Sequence, residues 1–289
     1  MYRKFAVIDV GSNSVRLMFV ADGKILYKAL NTTRLGEGLA EKPLLKGEAI
    51  ERSAQAVACF YERAKAEGAE HVAVFATAAV RTAENRAEFL ERVRALCGLA
   101  VEVISGEEEA EIGILGALGN ADGAVIDIGG ASTEIVVKRR GELVYKKSVD
   151  IGVVRMKDRC GRDKAALEKM ALEAAKKYGE IPVKGSIYAI GGTATTLGAQ
   201  ALELLEYSSE KVTGAVVSLA KVRKLADKFL AMPVEEIQKL PCMPKGRADV
   251  IAGGAVLFAT IMQEQGIEEL IVSDRDNLEG YAVKHGFME

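Results

Sequence analysis

The 289-residue sequence contains few of the residues that bind transition metals or form disulfides. It has two histidines, His71 and His285, in unremarkable surroundings, so a histidine-based metal site is not expected. Its four cysteines are separated by 38, 63 and 82 residues, and no close pair resembles a zinc or redox motif. This spacing favours a reduced cytoplasmic protein over a disulfide-stabilised scaffold.

The sequence also lacks an excess of charge of either sign. Lys and Arg number 39 and Asp and Glu number 41, which leaves a net charge of −2. A negatively charged partner must therefore be held by a local site, and binding to duplex nucleic acid is not expected.

Long apolar runs are missing as well. No run approaches the ~20 residues that a membrane span requires, and the N-terminal run that ends at Asp9 is too short and too polar for a signal peptide. Hydrophobic residues nevertheless make up 49% of the chain, enough for substantial cores. These features predict a cytoplasmic α/β protein of two ordinary domains, without membrane association.

The most informative positive feature is an internal repeat. Residues 6–28 read AVIDVGSNSVRLMFVADGKILYK, and residues 124–146, at an offset of 118, read AVIDIGGASTEIVVKRRGELVYK. Nine of the 23 positions are identical without a gap. Each copy has the pattern of a three-strand meander, in which the first strand ends in Asp-x-Gly and a Gly-centred hairpin joins the last two strands.

Strands and helices alternate after each copy of the repeat. Helices are predicted at 48–67, 84–96, 108–118, 164–178, 194–205, 219–230 and 247–265, and strands at 72–77, 101–104, 186–190 and 269–273. This order predicts two similar α/β domains, 1–120 and 121–289, with a cleft between them. A final helix is expected, which would pack back on the first domain.

Three predicted strands end in turns of small residues, at 9–14, 127–133 and 190–196. Glycine lets backbone N–H groups approach an anion closely, and Ser or Thr hydroxyls add donors. Each turn alone could be only a tight turn, but three such turns, two of them related by duplication, favour a phosphate site. The candidate phosphate-binding residues are Gly11, Ser12, Asn13, Ser14, Gly129, Gly130, Ala131, Ser132, Thr133, Gly191, Gly192 and Thr193.

Carboxylates lie beside two of these turns. Asp9 and Asp127 precede the glycines, where a carboxylate would repel a bound phosphate unless a hard cation lay between them, so Mg²⁺ is implied. Glu134 can return across the turn to the same cation. Either aspartate alone could merely cap its turn, but their duplication favours a functional role.

Two arginines are candidate phosphate ligands. Arg16 occupies the repeat position of Glu134, where its guanidinium could hold phosphate oxygens bidentately or form a salt bridge. Arg81 is better placed, because it follows a buried strand at its carboxyl end and lies among small residues.

Glu109 is the candidate general base. Ser105 and Glu108 have the spacing of a capping box at the start of a helix, which explains the neighbouring acidic residues but does not require Glu109. Its spacing from Ile112 and Gly116 places it on the helix face that is expected to turn inward.

Together these segments resemble the exopolyphosphatase / guanosine pentaphosphate phosphatase (Ppx/GppA) family, a branch of the actin-like ATPase, sugar kinase and Hsp70 superfold. The motifs, in order, are DVGSNSVRL at 9–17, ATAAVRTAEN at 76–85, SGEEEA at 105–110, DIGGASTE at 127–134, IGVVRM at 151–156, GGTATTL at 191–197 and RADVIAGGAVL at 247–257. The resemblance implies two actin-like (ribonuclease H-like) domains. DxGSNSxRL with SGxEEA separates this branch from kinases.

The resemblance also implies an activity. Family members are Mg²⁺-dependent phosphohydrolases that remove terminal phosphate from inorganic polyphosphate or guanosine pentaphosphate, and their catalytic base falls on Glu109. The family's metal and phosphate positions fall on Asp127 and Glu134 and on the glycine turns, with Arg81 contacting phosphate. A monovalent cation such as K⁺ is an additional cofactor left open, and members are often homodimers.

Two departures from the family pattern concern the site. Ala131 stands where the family usually has a third glycine, and the segment 273–280 lacks the arginine often found before Glu-Gly. Extra C-terminal helical domains of longer members are not in the 289 residues, so short polyphosphate chains are the expected substrate. Hydrolysis of guanosine pentaphosphate and a weakly catalytic nucleotide sensor are the alternatives, with a sugar kinase ranked last.

Overall fold

A computed structural model describes residues 3–183 and 185–288. The described residues do not include Met1 and Tyr2, with which the N-terminal segment begins. They also do not include Glu289, the last residue of the second predicted domain. Within the described residues the strands form two sheets. None of the helices there is long and apolar enough to cross a lipid bilayer.

The first sheet, called sheet I, has the strand order β3-β2-β1-β4-β5. Its strands are β1 Lys4–Val10, β2 Val15–Ala21, β3 Lys24–Asn31, β4 His71–Ala76 and β5 Glu102–Val103. Sheet II has the order β10-β11-β9-β6-β7-β8. Its strands are β6 Gly123–Ile128, β7 Thr133–Arg139, β8 Glu142–Val149, β9 Ile187–Ile190, β10 Val216–Ser218 and β11 Glu269–Val272.

The repeat is confirmed residue by residue, because β2, β3, β7 and β8 begin and end at the predicted offset of 118. The register shifts between β2 and β3 after Phe19 and between β7 and β8 after Val137, the repeat-equivalent position. Each hairpin turns through a residue pair with positive φ, Asp22 with Gly23 and Arg140 with Gly141. Such pairs are typical of the two-residue turns that match the twist of antiparallel strands.

The helices are α1 Gly47–Ala66, α2 Ala78–Thr82, α3 Arg86–Cys97, α4 Gly106–Leu118, α5 Val153–Cys160, α6 Lys164–Tyr178, α7 Gly191–Ala201, α8 Ser209–Val212, α9 Leu219–Ala231, α10 Val234–Gln238, α11 Ile251–Glu264 and α12 Asn277–Lys284. Helices α2, α5, α8 and α10 and strand β10 were not predicted. The helix expected from residue 247 begins at Ile251, and the one expected from 194 begins at Gly191. The glycines of the third turn therefore belong to the first turn of α7.

Two helices cover sheets other than those they follow in sequence. Helix α4 follows sheet I but packs on sheet II, where Ala110 and Ile114 contact Val125 and Val136. Helix α12 follows sheet II but packs on sheet I, where Leu278 joins a core formed by β1, β2 and β4. The two helices also pack against each other, and this contact joins the two lobes.

Candidate active site

The carboxyl ends of β1, β6 and β9 meet at a cavity of about 330 Å³ between the two sheets. Parallel strands end at one edge of a sheet, which is why ligand sites of α/β proteins lie there. Fourteen of the predicted site residues line this cavity: Asp9, Gly11, Ser12, Asn13, Ser14, Arg16, Glu109, Asp127, Gly129, Gly130, Ala131, Ser132, Gly191 and Gly192.

The two duplicated loops have the same turn. The N–H of Gly11 donates to the carbonyl of Ser14, and the N–H of Gly129 donates to that of Ser132, both at 3.0 Å. The loops also touch across the cavity, because a Cβ added at Gly130 would lie 2.7 Å from Cβ of Ser12. A side chain at position 130 would therefore push the two lobes apart.

Four predicted residues do not line the cavity. The hydroxyl of Thr133 donates to the carbonyl of Ile151 at 2.7 Å, and that of Thr193 donates to the carbonyl of Ile128 at 3.1 Å. Both threonines are fully buried, and their hydroxyls bond to backbone carbonyls in the interior of the protein. The other two, Arg81 and Glu134, are not among the residues that line the cavity.

Ala131, the departure from the family's glycine pattern, forms part of the cavity wall. It is buried, and its carbonyl accepts a hydrogen bond from Nε of Arg155 at 2.8 Å. A side chain at this position is therefore accommodated beside the loop.

In sheet I the acidic residue at the strand end is neutralised. Asp9 lies opposite Arg16 on the neighbouring strand, and Nε of Arg16 donates to Oδ2 of Asp9 at 3.0 Å. The same guanidinium pairs with Asp276, the N-cap of α12. Of the two roles left open for Arg16, the salt bridge is present, with two carboxylate partners. Its side chain also lines the cavity, and its role as a phosphate ligand stays a prediction.

The equivalent row in sheet II has two acidic residues and no arginine between them. Asp127 lies opposite Glu134, which in turn lies opposite Ser148 on β8. Asp127 accepts from Nδ2 of Asn277 at 3.2 Å, and Oε1 of Glu134 accepts from the Ser148 hydroxyl at 2.6 Å. Oε2 of Glu134 is buried without a hydrogen-bond partner.

The two carboxyl groups of this row have raised pKa values. Burial, with the carboxylates of Glu109 and Asp276 nearby, raises the pKa of Asp127 to about 8 against the attraction of Arg16. Burial and the carboxylates of Glu109 and Asp127 hold the pKa of Glu134 well above its usual range. Two adjacent acids that are reluctant to ionise together fit a divalent cation, which would stabilise both charges.

A magnesium ion would not be enclosed by protein side chains alone. Across residues 3–183 and 185–288, no group of three or more His, Cys, Asp or Glu side chains is arranged to hold a metal. Mg²⁺ commonly binds through one or two carboxylates and completes its octahedron with water and substrate phosphates. The unpartnered Oε2 of Glu134 and the adjacent Asp127 are donors that such a site needs.

Glu109 is held at the start of α4 by Arg81. The predicted capping box of Ser105 and Glu108 is present, and Glu109 follows it with only 6% of its surface exposed. Nη1 of Arg81 donates to Oε2 of Glu109 at 2.9 Å and to the carbonyl of Ile104 at 3.0 Å. Burial raises the pKa of Glu109, and Arg81 opposes that rise.

One cavity residue that the sequence analysis left without a role is Arg247. It is buried, its Nε has no hydrogen-bond partner, and it packs over the start of α7 at Gly192. Burial and the nearby charge of Arg16 lower its pKa to about 10. Its place in the RADVIAGGAVL motif was the available signal, but the motif does not show that the guanidinium faces the cavity.

Comparison with known proteins identifies the family of the chain. Residues 7–287 match the Ppx/GppA phosphatase family. The chain is 33% identical over 312 aligned residues to Exopolyphosphatase 2 of Mycobacterium tuberculosis, with 97% of this chain and 98% of that protein covered.

Two crystal structures show the same architecture. The Aquifex aeolicus member of the Ppx/GppA family is 32% identical and superposes with a TM-score of 0.79, covering 99% of this chain and 98% of that one. An exopolyphosphatase from Cytophaga hutchinsonii is 25% identical, with a TM-score of 0.86 and 99% of both chains covered. The predicted fold of two similar actin-like domains is thus confirmed, and the chain belongs to the Ppx/GppA phosphatase family.

Proposed function

We propose that this protein is a Mg²⁺-dependent exopolyphosphatase that hydrolyses the terminal phosphoanhydride bond of inorganic polyphosphate. The observation that carries the proposal is the convergence of Glu109 and three glycine turns on one cavity. The similarity to Exopolyphosphatase 2 of M. tuberculosis supports polyphosphate as the substrate class.

The turns and α7 would bind the phosphate chain. The hydroxyls of Ser12 and Ser14 and the backbone N–H groups in the first turn of α7 are available to non-bridging oxygens at the carboxyl ends of the strands. The unpaired guanidinium of Arg247 adds positive charge at the same turn. Because these groups are fixed by the fold, little reorganisation is needed when charge develops on the phosphoryl oxygens.

Glu109 would act as general base. Its carboxylate accepts a proton from water while the water oxygen forms a bond to the terminal phosphorus and the bridging P–O bond breaks. The products are orthophosphate and a chain shorter by one phosphate. Arg81 anchors the base, and the raised pKa of Glu109 brings its basicity closer to neutral pH.

Asp127 and Glu134 would hold Mg²⁺ on the sheet II side of the cavity. When bound, Mg²⁺ would neutralise charge on the phosphoryl oxygens. Asp9, whose charge Arg16 already compensates, would contribute less to the cation than its repeat equivalent Asp127.

Hydrolysis of guanosine pentaphosphate is a second candidate, because apolar and aromatic side chains also line the cavity. They include Leu30, Pro244 and Tyr207, whose hydroxyl donates to Oδ1 of Asp274 at 2.7 Å. A polyphosphate chain has no apolar group that could pack against these side chains, whereas a nucleoside could pack against them. Comparing kcat/KM on the two substrates decides between them.

The proposal is tested by phosphate release from polyphosphate of defined length with Mg²⁺. Glu109→Gln should lower kcat by about 10²–10⁴-fold, the usual contribution of a general base. Glu107→Gln is the matched control, because Glu107 lies in the same helical turn with 76% of its side chain exposed. It should leave kcat unchanged.

The same assay contains the outcomes that contradict the proposal. A wild-type protein that releases no phosphate from any chain length is not an exopolyphosphatase. Turnover that survives Glu109→Gln would remove Glu109 as the base and would favour the nucleotide-sensor alternative.

A further inference from the structure

The two repeat-related rows of side chains have diverged at every position but the first. Sheet I carries Asp9, Arg16 and Leu30 on neighbouring strands. Sheet II carries Asp127, then Glu134, then Ser148 at the equivalent places. In the first row an arginine forms an ion pair with the aspartate. In the second row a carboxylate takes the place of the arginine, and a hydroxyl takes the place of the apolar side chain.

The hydroxyl of Ser148 fixes one half of the Glu134 carboxylate. It donates to Oε1 at 2.6 Å, while Oε2 is buried with no partner. Glu134 is 2% exposed, so water does not compete for the bonded oxygen. The hydrogen bond therefore selects one orientation of the carboxylate and leaves a single oxygen free.

Ser148 also contacts the helix that carries the proposed base. A Cβ added at Gly106, the first residue of α4, would lie 2.9 Å from both Cβ and Oγ of Ser148. Only a glycine leaves room for the serine there. The serine thus lies between Glu134 and the helix turn that contains Glu109, although it does not line the cavity itself.

From this geometry we infer that Ser148 is a positioning residue that orients Glu134 so that Oε2 is available to a divalent cation. The inference rests on the proposed function, since it takes Glu134 as a cation ligand. Groups that orient a metal ligand in this way typically contribute about 10–100-fold to metal affinity or activity. Ser148 makes this contribution without touching the substrate.

Binding of Mn²⁺ to the protein without substrate tests the inference directly. Electron paramagnetic resonance of free Mn²⁺ measures the affinity, and Ser148→Ala should weaken it about 10-fold. Glu134→Gln should weaken it at least as much. Ser53→Ala is the control, because Ser53 is a buried serine on α1 whose hydroxyl has no partner, and its removal should leave Mn²⁺ affinity unchanged.

Kinetics separate positioning from a general structural effect. Ser148→Ala should lower kcat and raise the Mg²⁺ concentration for half-maximal activity, with little change in KM for polyphosphate. In a Glu134→Gln background the same substitution should have no further effect on kcat, because the group it orients is gone.

Several results would overturn the inference. Wild-type Mn²⁺ affinity in Ser148→Ala, an equal loss of kcat in both backgrounds, or no Mn²⁺ binding by the substrate-free wild type would each do so. Wild-type affinity in Glu134→Gln would also remove Glu134 from the proposed metal site. A different outcome is that the Mn²⁺ affinities follow the expected order but the protein releases no phosphate. This outcome would support the role of Ser148 and contradict only the proposed function.

Discussion

Gly280→Ala would place a methyl group where α4 and α12 touch backbone to backbone. A Cβ at Gly280 would lie 2.5 Å from the carbonyl carbon of Ile112 and 2.9 Å from the nitrogen of Gly116. The reciprocal Cβ at Gly116 would lie 2.8 Å from the carbonyl carbon of Asp276. None of these neighbours is a side chain, so no rotamer change can relieve the overlap.

The cost follows from that geometry. The nearest atom to the added Cβ is the carbonyl oxygen of Ile112, so the helices must separate by more than about 1 Å to restore ordinary contacts. Overpacking of this kind costs about 1–3 kcal/mol, and a contact between two backbones belongs near the top of that range. Alanine recovers about 1 kcal/mol of helix propensity. The expected net loss in the free energy of unfolding is therefore about 2 kcal/mol.

Activity should fall as well, because both helices begin at the cavity. Helix α4 carries Glu109 in its first turn, and Asn277, the first residue of α12, donates to Asp127. Misplacement of a catalytic group by about 1 Å can reduce the rate of reaction about 10²-fold. Gly280→Ala should therefore lower both the stability of the contact between α4 and α12 and the rate of turnover.

Urea unfolding and phosphate release measure the two effects. Gly47→Ala is the control, since Gly47 begins α1 and no heavy atom lies within 4 Å of its added Cβ. It should keep wild-type turnover and gain a few tenths of a kcal/mol at most. The reasoning fails if Gly280→Ala is as stable as Gly47→Ala and turns over like the wild type.

Two further predictions concern Asp127 in sheet II and Thr193 in α7. The pKa of Asp127, raised from 3.8 to about 8, means that its contribution to stability is present below about pH 4 and lost as the pH rises through 8. In EDTA, Asp127→Asn should therefore gain stability relative to the wild type across that window in urea unfolding, and identical pH profiles would contradict the shift. Thr193→Val should cost about 1 kcal/mol of stability, because its hydroxyl donates to the Ile128 carbonyl, and leave KM for polyphosphate unchanged. A large rise in KM would instead restore Thr193 as a phosphate ligand.

The local elements were predictable because the duplicated segments encode them twice. Both copies have an apolar run on each side of an Asp-x-Gly turn, and both have a glycine at the hairpin position that requires positive φ. The capping box at Ser105 likewise depends only on residues three apart. Such features depend on neighbours in the chain, so the pattern alone is sufficient.

Helix boundaries at the third turn were harder to predict. Gly191 and Gly192 form the first turn of α7, although glycine disfavours helix and the sequence pattern placed the start at residue 194. Glycine fits at these two positions, whereas the Cβ of a larger residue would collide with Asp127 or Arg247. Close packing from distant parts of the chain overrides the local propensity.

The sequence by itself determined the duplicated meanders, the glycine turns at the strand ends and the acidic residues beside them, because these depend on spacing along the chain. Only the tertiary structure decided which of those groups act together. Arg16 pairs with Asp9 and also with Asp276, 260 residues away, whereas burial and the neighbouring carboxylates raise the pKa values of Asp127 and Glu134. A hydrogen bond or ion pair forms between groups that the folded chain brings within about 3 Å. That proximity comes from the packing of α12 on sheet I, which brings its N-cap Asp276 to Arg16 on β2.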